Sequence, residues 1–74
     1  MSQPEPVHVT VDSSLFSTVI YSADATLELV FRNGSIYRYF AVPPDVFQAL
    51  LAAPSKGAYF NQHIRDHFPY QRLA

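Results

Sequence analysis

Apolar and polar residues alternate most regularly between Leu27 and Val42. Leu27, Leu29 and Phe31 interleave with Glu28, Val30 and Arg32, and Ser35 to Ala41 forms a second β-branched and aromatic run. Asn33-Gly34 separates the two runs, and Asn-Gly in that setting is the strongest short-range signal for a β-hairpin. Upstream, Thr18 to Ser22 predicts a preceding strand, with a turn at Ala23 to Ala25 centred on Asp24. Thr26 to Arg32 and Ser35 to Ala41 then complete an antiparallel meander. Ser13 and Ser14 before Leu15-Phe16 predict a serine-capped helical turn ahead of the first strand. Residues 1–6, MSQPEP, are polar and proline-rich and are expected to be a disordered lead-in.

The period changes after Pro43-Pro44. Proline loses nothing at the first helical position, and Asp45 in the first turn suits the helix dipole. Val46, Phe47, Leu50 and Leu51 recur at the spacing of one helical face, and Pro54 ends this helix by disfavouring α backbone at Ala53. Ser55 then caps a second helix predicted to run to about His67. Its inward stripe is Tyr59, Phe60, Ile64 and His67, with His63. The tail from Phe68 to Ala74 has two placements, on the sheet edge or over the core. The predicted order is β-β-β-α-α. It is an α+β fold in which a three-stranded antiparallel meander is followed by two helices packed on one face, with residues 7–74 as one domain.

Two turn geometries fit Asn33-Gly34. A two-residue type I′ turn pairs Phe31 with Ile36, Leu29 with Arg38 and Glu28 with Tyr39. A three-residue loop with a glycine bulge instead pairs Val30 with Ile36, Glu28 with Arg38, Leu29 with Tyr37 and Leu27 with Tyr39. The one-residue shift moves both tyrosines to the other face of the sheet. In the first register they form an outer aromatic platform of the kind that stacks unpaired bases. In the second they join the leucine face, and Val30, Arg32, Ile36, Arg38 and Phe40 are left outside. The bulged register is favoured, because only it sets Glu28 across from Arg38, a pair worth about 0.2–1 kcal/mol.

Composition narrows the function classes. A chain of 74 residues buries only about 60 % of its unfolded surface. Cysteine is absent, which excludes disulfides and thiolate metal sites. Six Phe and five Tyr must therefore supply much of the core. No charged and apolar leader opens the sequence, and no apolar run approaches the roughly 20 residues of a membrane span. A cytoplasmic protein without a membrane partner is expected. The net charge of −1 argues against strong non-specific nucleic-acid binding. The charges are nonetheless segregated. Residues 1–31 carry four acids and no Lys or Arg, whereas 32–74 carry five bases and two acids. Either the two halves pair, or the second half presents a basic face to phosphate.

Candidate chemistry is sparse. His63 and His67 stand four apart, but Ile64 occupies the place where a zinc-protease helix needs glutamate. A third ligand would have to come from Asp66 or remote His8, so no metal site is expected. No serine lies in a nucleophile elbow and two glycines cannot build a phosphate cradle, so neither catalysis nor a cofactor is expected. Ser55-Lys56-Gly57 is the better candidate, since a helix start with an adjacent lysine attracts phosphate. An ordinary helix cap is the competing reading.

Taken together, these pieces resemble the KTSC domain, a family named from the C-terminal region of certain lysyl-tRNA synthetases. The resemblance rests on Ser13-Ser14, Tyr21, the run LELVFRNGSIYRYFAVP with Tyr37 and Tyr39, Ser55-Lys56-Gly57, Tyr59-Phe60-Asn61, and Ile64-Arg65 before Phe68. It covers about residues 9–73. Pro54 departs from the pattern, where the family more often has a helix-compatible residue, and implies a sharper break between the helices. The resemblance implies a stand-alone bacterial or phage domain. By analogy with the synthetase fusion, it also implies RNA as a partner. It singles out Tyr37, Tyr39, Ser55, Lys56, Gly57, Asn61 and Arg65.

The leading expectation is a non-enzymatic module that contacts RNA. Lys56, Arg65, Arg38 and Arg32 would meet phosphates, with Phe40 or the tyrosines available for stacking. The alternative is a protein-interaction or homodimerising domain that uses the apolar outer face of the sheet.

Overall fold

Among the described residues, five antiparallel strands follow one another across a single sheet in chain order, and two helices interrupt the chain before the last strand. A computed structural model describes residues 5–74. Of the expected disordered lead-in, residues 1–4 lie outside the described residues. The strands are β1 (Val7–Thr10), β2 (Phe16–Tyr21), β3 (Leu27–Phe31), β4 (Ile36–Tyr39) and β5 (Tyr70–Arg72). The helices are α1 (Pro44–Ala52) and α2 (Lys56–His63). Among the described residues, no helix is long and apolar enough to cross a membrane.

The sheet thus has five strands rather than the three expected. β1 and β5 are the additions, and both are edge strands of three or four residues. Three of the four β1 residues are exposed, so no buried alternation marks it in the sequence. The expected helical turn at Ser13-Ser14 is also absent. The Ser13 hydroxyl instead accepts the Leu15 amide at 3.1 Å, a serine turn that feeds the chain straight into β2. That strand therefore begins at Phe16, two residues earlier than expected.

The β3–β4 hairpin takes the bulged register. Val30 pairs with Ile36, Glu28 with Arg38, Leu29 with Tyr37 and Leu27 with Tyr39. Gly34 adopts φ +93°, the conformation that the bulge demands. The Asn33 side chain tightens the loop by accepting the Ser35 amide at 2.9 Å. Arg38 donates to the Glu28 carboxylate at 3.1 Å.

Pairing across all five strands sorts the side chains into rows. Val7, Tyr21, Leu27, Tyr39 and Tyr70 form one row on the helix-bearing face, and Val9, Val19, Leu29, Tyr37 and Arg72 form the next. His8, Ile20, Glu28, Arg38 and Gln71 form a row on the opposite face. The core lies between the first face and the helices. Phe16, Val19, Leu27, Leu29 and Tyr39 meet Phe47, Leu50, Phe60 and Ile64 there. Phe60 packs edge-on against Phe16, Phe31 and Tyr39, a geometry that the ring quadrupole favours. Tyr21 stacks on Phe47 at 4.6 Å and donates to the Val42 carbonyl at 2.6 Å.

Prolines delimit α1. Pro43 and Pro44 start it, and Ala53 is already extended (φ −66°, ψ 134°), as a residue before proline must be. Ser55 caps α2 by accepting the Ala58 amide at 3.3 Å. The second helix stops at His63 rather than near His67. The Arg65 amide reaches back five residues to the Phe60 carbonyl at 2.8 Å, and Asp66 turns left-handed at φ 65°. His63 and His67 therefore do not share a helical face, and both are exposed rather than inward. Phe60 and Ile64 alone carry the buried stripe.

The Gly34 position can be isolated experimentally. No atom outside the turn lies within 4 Å of a Cβ built there, so Gly34→Ala meets only backbone strain. Urea denaturation should show a loss of about 1–2 kcal/mol, the cost of left-handed backbone for a residue with Cβ.

Candidate functional site

The two inner rows extend past the area that the helices cover. At the β4–β5 edge, three tyrosines lie side by side. Ring centroids are 6.5 Å apart for Tyr37 and Tyr39, 5.8 Å for Tyr37 and Tyr70, and 5.6 Å for Tyr39 and Tyr70. The Arg72 guanidinium stands 5.8 Å over the Tyr37 ring, within the range of a cation–π contact. Cross-strand pairing sets Tyr70 beside Tyr39 and Arg72 beside Tyr37.

Opposite this array, α2 and the turn after it supply Asn61, Arg65 and Asp66. The space between is a groove of about 450 Å³, with Leu15, Asn33 and Ser35 also lining it. Clefts that hold small organic groups run from about 300 to 1,000 Å³. Its aromatic side is built by strand pairing and its polar side by the unwinding of α2. Tyr70 is 56 % exposed, whereas Tyr39 is only 3 % exposed. No buried side-chain polar atom among the described residues lacks a partner, and the Tyr39 hydroxyl opens on the groove it lines.

Burial is the main reason that the Tyr39 phenol is pushed up to about 12. Charge on Tyr37 and Tyr70 adds to it, Arg65 pulls it back, and Asp66 raises it again. Phe31 and Phe60 contribute apolar surface beneath these groups.

The ten residues singled out from the sequence separate into distinct places. Tyr37, Tyr39, Asn61 and Arg65 come together in the groove. Arg38 and Phe40 lie on the opposite face of the sheet, beside a hollow of about 560 Å³ that also includes His8, Asp24 and Glu28. There the Arg38 charge is matched by Glu28. Arg32 donates through Nε to the Ser13 carbonyl and ties β3 to the chain entering β2. Ser55, Lys56 and Gly57 lie at the start of α2. The Lys56 ammonium donates to the Ala53 carbonyl at 3.2 Å, against the negative end of α1. Gly57 faces Leu15, and a Cβ there would meet it at 3.6 Å, an ordinary contact.

Tyr70 and Asp66 join the groove without standing out in the sequence, and Arg72 stands beside it over the Tyr37 ring. Tyr70-Gln71-Arg72 repeats the aromatic–polar alternation of Tyr37-Arg38-Tyr39, but three residues after a proline are too short to declare a strand. Asp66 enters only because α2 ends early. Among the described residues, no three histidines or carboxylates converge on a metal position.

Two outcomes check this geometry. Gly57→Ala should raise stability by up to about 1 kcal/mol, the helix-propensity gain, since the new methyl has room. Thermal and urea unfolding measure it. Tyr39 keeps its proton in the folded state to about pH 12, whereas the unfolded phenol loses it near pH 10. The unfolded state binds fewer protons across that window, so the Tyr39 contribution is complete below about pH 10 and declines toward about 12. Denaturation midpoints should fall through this range in the native protein and less in Tyr39→Phe. Ultraviolet titration should find Tyr39 ionising above the ordinary tyrosine range.

Comparison with known proteins follows the same pattern. Residues 12–68 match the KTSC domain family. The crystal structure of a KTSC domain protein from Yersinia pestis superposes with a TM-score of 0.89 at 28 % identity, covering 95 % of this chain and all of that one. An uncharacterized protein from Stutzerimonas stutzeri is 43 % identical over 67 residues, 88 % of this chain and 94 % of its own. A lysine–tRNA ligase from Nostoc punctiforme is 47 % identical over 49 residues, 66 % of this chain. That match spans only 9 % of the ligase.

Proposed function

The chain belongs to the KTSC domain family, and from that premise we propose that it is a non-enzymatic module that holds unpaired RNA in its aromatic groove. The observation that carries this reading is the pair of Tyr37 and Tyr70, half-buried and exposed respectively, backed by the buried Tyr39 and lining one groove with Arg65 and Asn61. Single-stranded nucleic acid is bound by this combination. Bases stack on aromatic rings for about 1–3 kcal/mol each, and arginines meet the backbone. Arg65 and Arg72 flank the rings, so this reading assigns phosphate contact to these two rather than to the expected set of Lys56, Arg65, Arg38 and Arg32. The matching segment in a lysine–tRNA ligase supports RNA as the partner class. A cytoplasmic location and one folded unit over residues 7–74 accompany this reading.

The competing surface is the outer face, with Val30, Ile36 and Phe40. The groove is preferred because it gathers aromatic rings with an arginine that makes no ion pair among the described residues, whereas the Arg38 charge on the outer face is already matched by Glu28.

Labelled single-stranded RNA should bind with affinity that falls as salt rises, at a log–log slope near about −1.4 for two phosphate contacts. Tyr70→Ala should weaken binding roughly tenfold or more while leaving stability close to native, since the ring is exposed. Lys56→Glu, at the other end of α2, should change affinity little. Absence of binding at low salt, together with a dimer by light scattering, would overturn the reading in favour of self-association.

A further inference from the structure

The groove also contains a group that RNA backbone does not need. Asp66 is an exposed carboxylate on its rim, held at φ 65° by the turn that ends α2. Among the described residues the one ion pair joins Arg38 to Glu28, and no hydrogen bond engages the Asp66 side chain. Its charge reaches the Tyr39 hydroxyl, whose proton it helps to retain. A carboxylate at this place repels phosphate. Both of its oxygens are acceptors, each able to take a donor from whatever lies on the tyrosines.

We infer that the groove selects guanine, with the Asp66 carboxylate accepting the two adjacent N–H groups of the base's Watson–Crick edge. This inference rests on the RNA-binding reading above. Guanine is the one common base that offers two neighbouring donors, N1–H and N2–H, in the parallel geometry that a carboxylate accepts. Adenine and cytosine each place a single amine beside a ring-nitrogen acceptor, which a carboxylate repels. Uracil flanks its one N–H with two carbonyls. The Asn61 amide, on the same side of the groove, can donate to guanine O6. Arg65 and Arg72 are left for phosphate, so base recognition and backbone attraction fall to different side chains.

Short oligouridines carrying one central guanosine, inosine, adenosine or cytidine are titrated against the native protein and Asp66→Asn. Asparagine tolerates the left-handed backbone, so the variant keeps the turn. The guanosine oligomer should bind at least tenfold more tightly than the adenosine or cytidine one. Inosine lacks the N2 amine and should fall between. In Asp66→Asn the preference should collapse while the other oligomers bind equally or better, since a negative charge is gone. Equal binding of every oligomer by the native protein overturns guanine selection and leaves the RNA reading standing. A guanosine preference that survives Asp66→Asn overturns the role of the carboxylate. No binding of any oligomer overturns both.

Discussion

One residue of register in the β3–β4 hairpin sets the identity of both faces of this sheet. Strand side chains alternate with a period of two, so a single slip would exchange every inward residue for an outward one. The left-handed backbone at Gly34 and the Glu28–Arg38 pair select the same register. From it follow the placement of Tyr37 and Tyr39 with the leucines, the row that reaches Tyr70, and the core that Phe60 closes. The ion pair is partly exposed and therefore contributes modestly. Its larger effect is to make the alternative costly, since Arg38 would otherwise enter the apolar face.

The tyrosine pair does not divide cleanly into platform or core. Tyr39 is buried, yet Tyr70 continues its row, and Tyr37 the neighbouring one, beyond the reach of the helices. Two short helices cannot cover a sheet five strands wide, so the row that builds the core also forms a groove where cover runs out. The second helix has a double part in this. Phe60 and Ile64 anchor it to the core, while Asn61, Arg65 and Asp66 present polar groups to the rings.

Local rules made much of this legible. Alternation, the Asn33-Gly34 turn, Pro43-Pro44 and the Ser55 cap are signals carried by a few adjacent residues, and the central hairpin and both helix starts followed from them. The edge strands did not, because β1 and β5 are held by pairing with neighbours rather than by a buried face of their own. The end of α2 was equally hidden. No glycine or proline marks it, and it depends on Ile64 being drawn into the core while Asp66 turns left-handed. Within the candidate site, Tyr37, Tyr39, Asn61 and Arg65 were visible as residues. Their convergence was not, since it depends on how the end of α2 packs across β4, and β5 then adds Tyr70.

That last strand has a thermodynamic consequence. β5 is three residues long, exposed throughout, and paired on one side only. Edge elements of this kind open locally at far lower free energy than a core strand. One wall of the groove therefore exists only while β5 is docked, and the apparent affinity for any ligand there is scaled by the docked fraction. By reciprocity, any ligand that requires Tyr70 in place would stabilise the docked strand, so occupancy of the groove and completion of the sheet would be coupled.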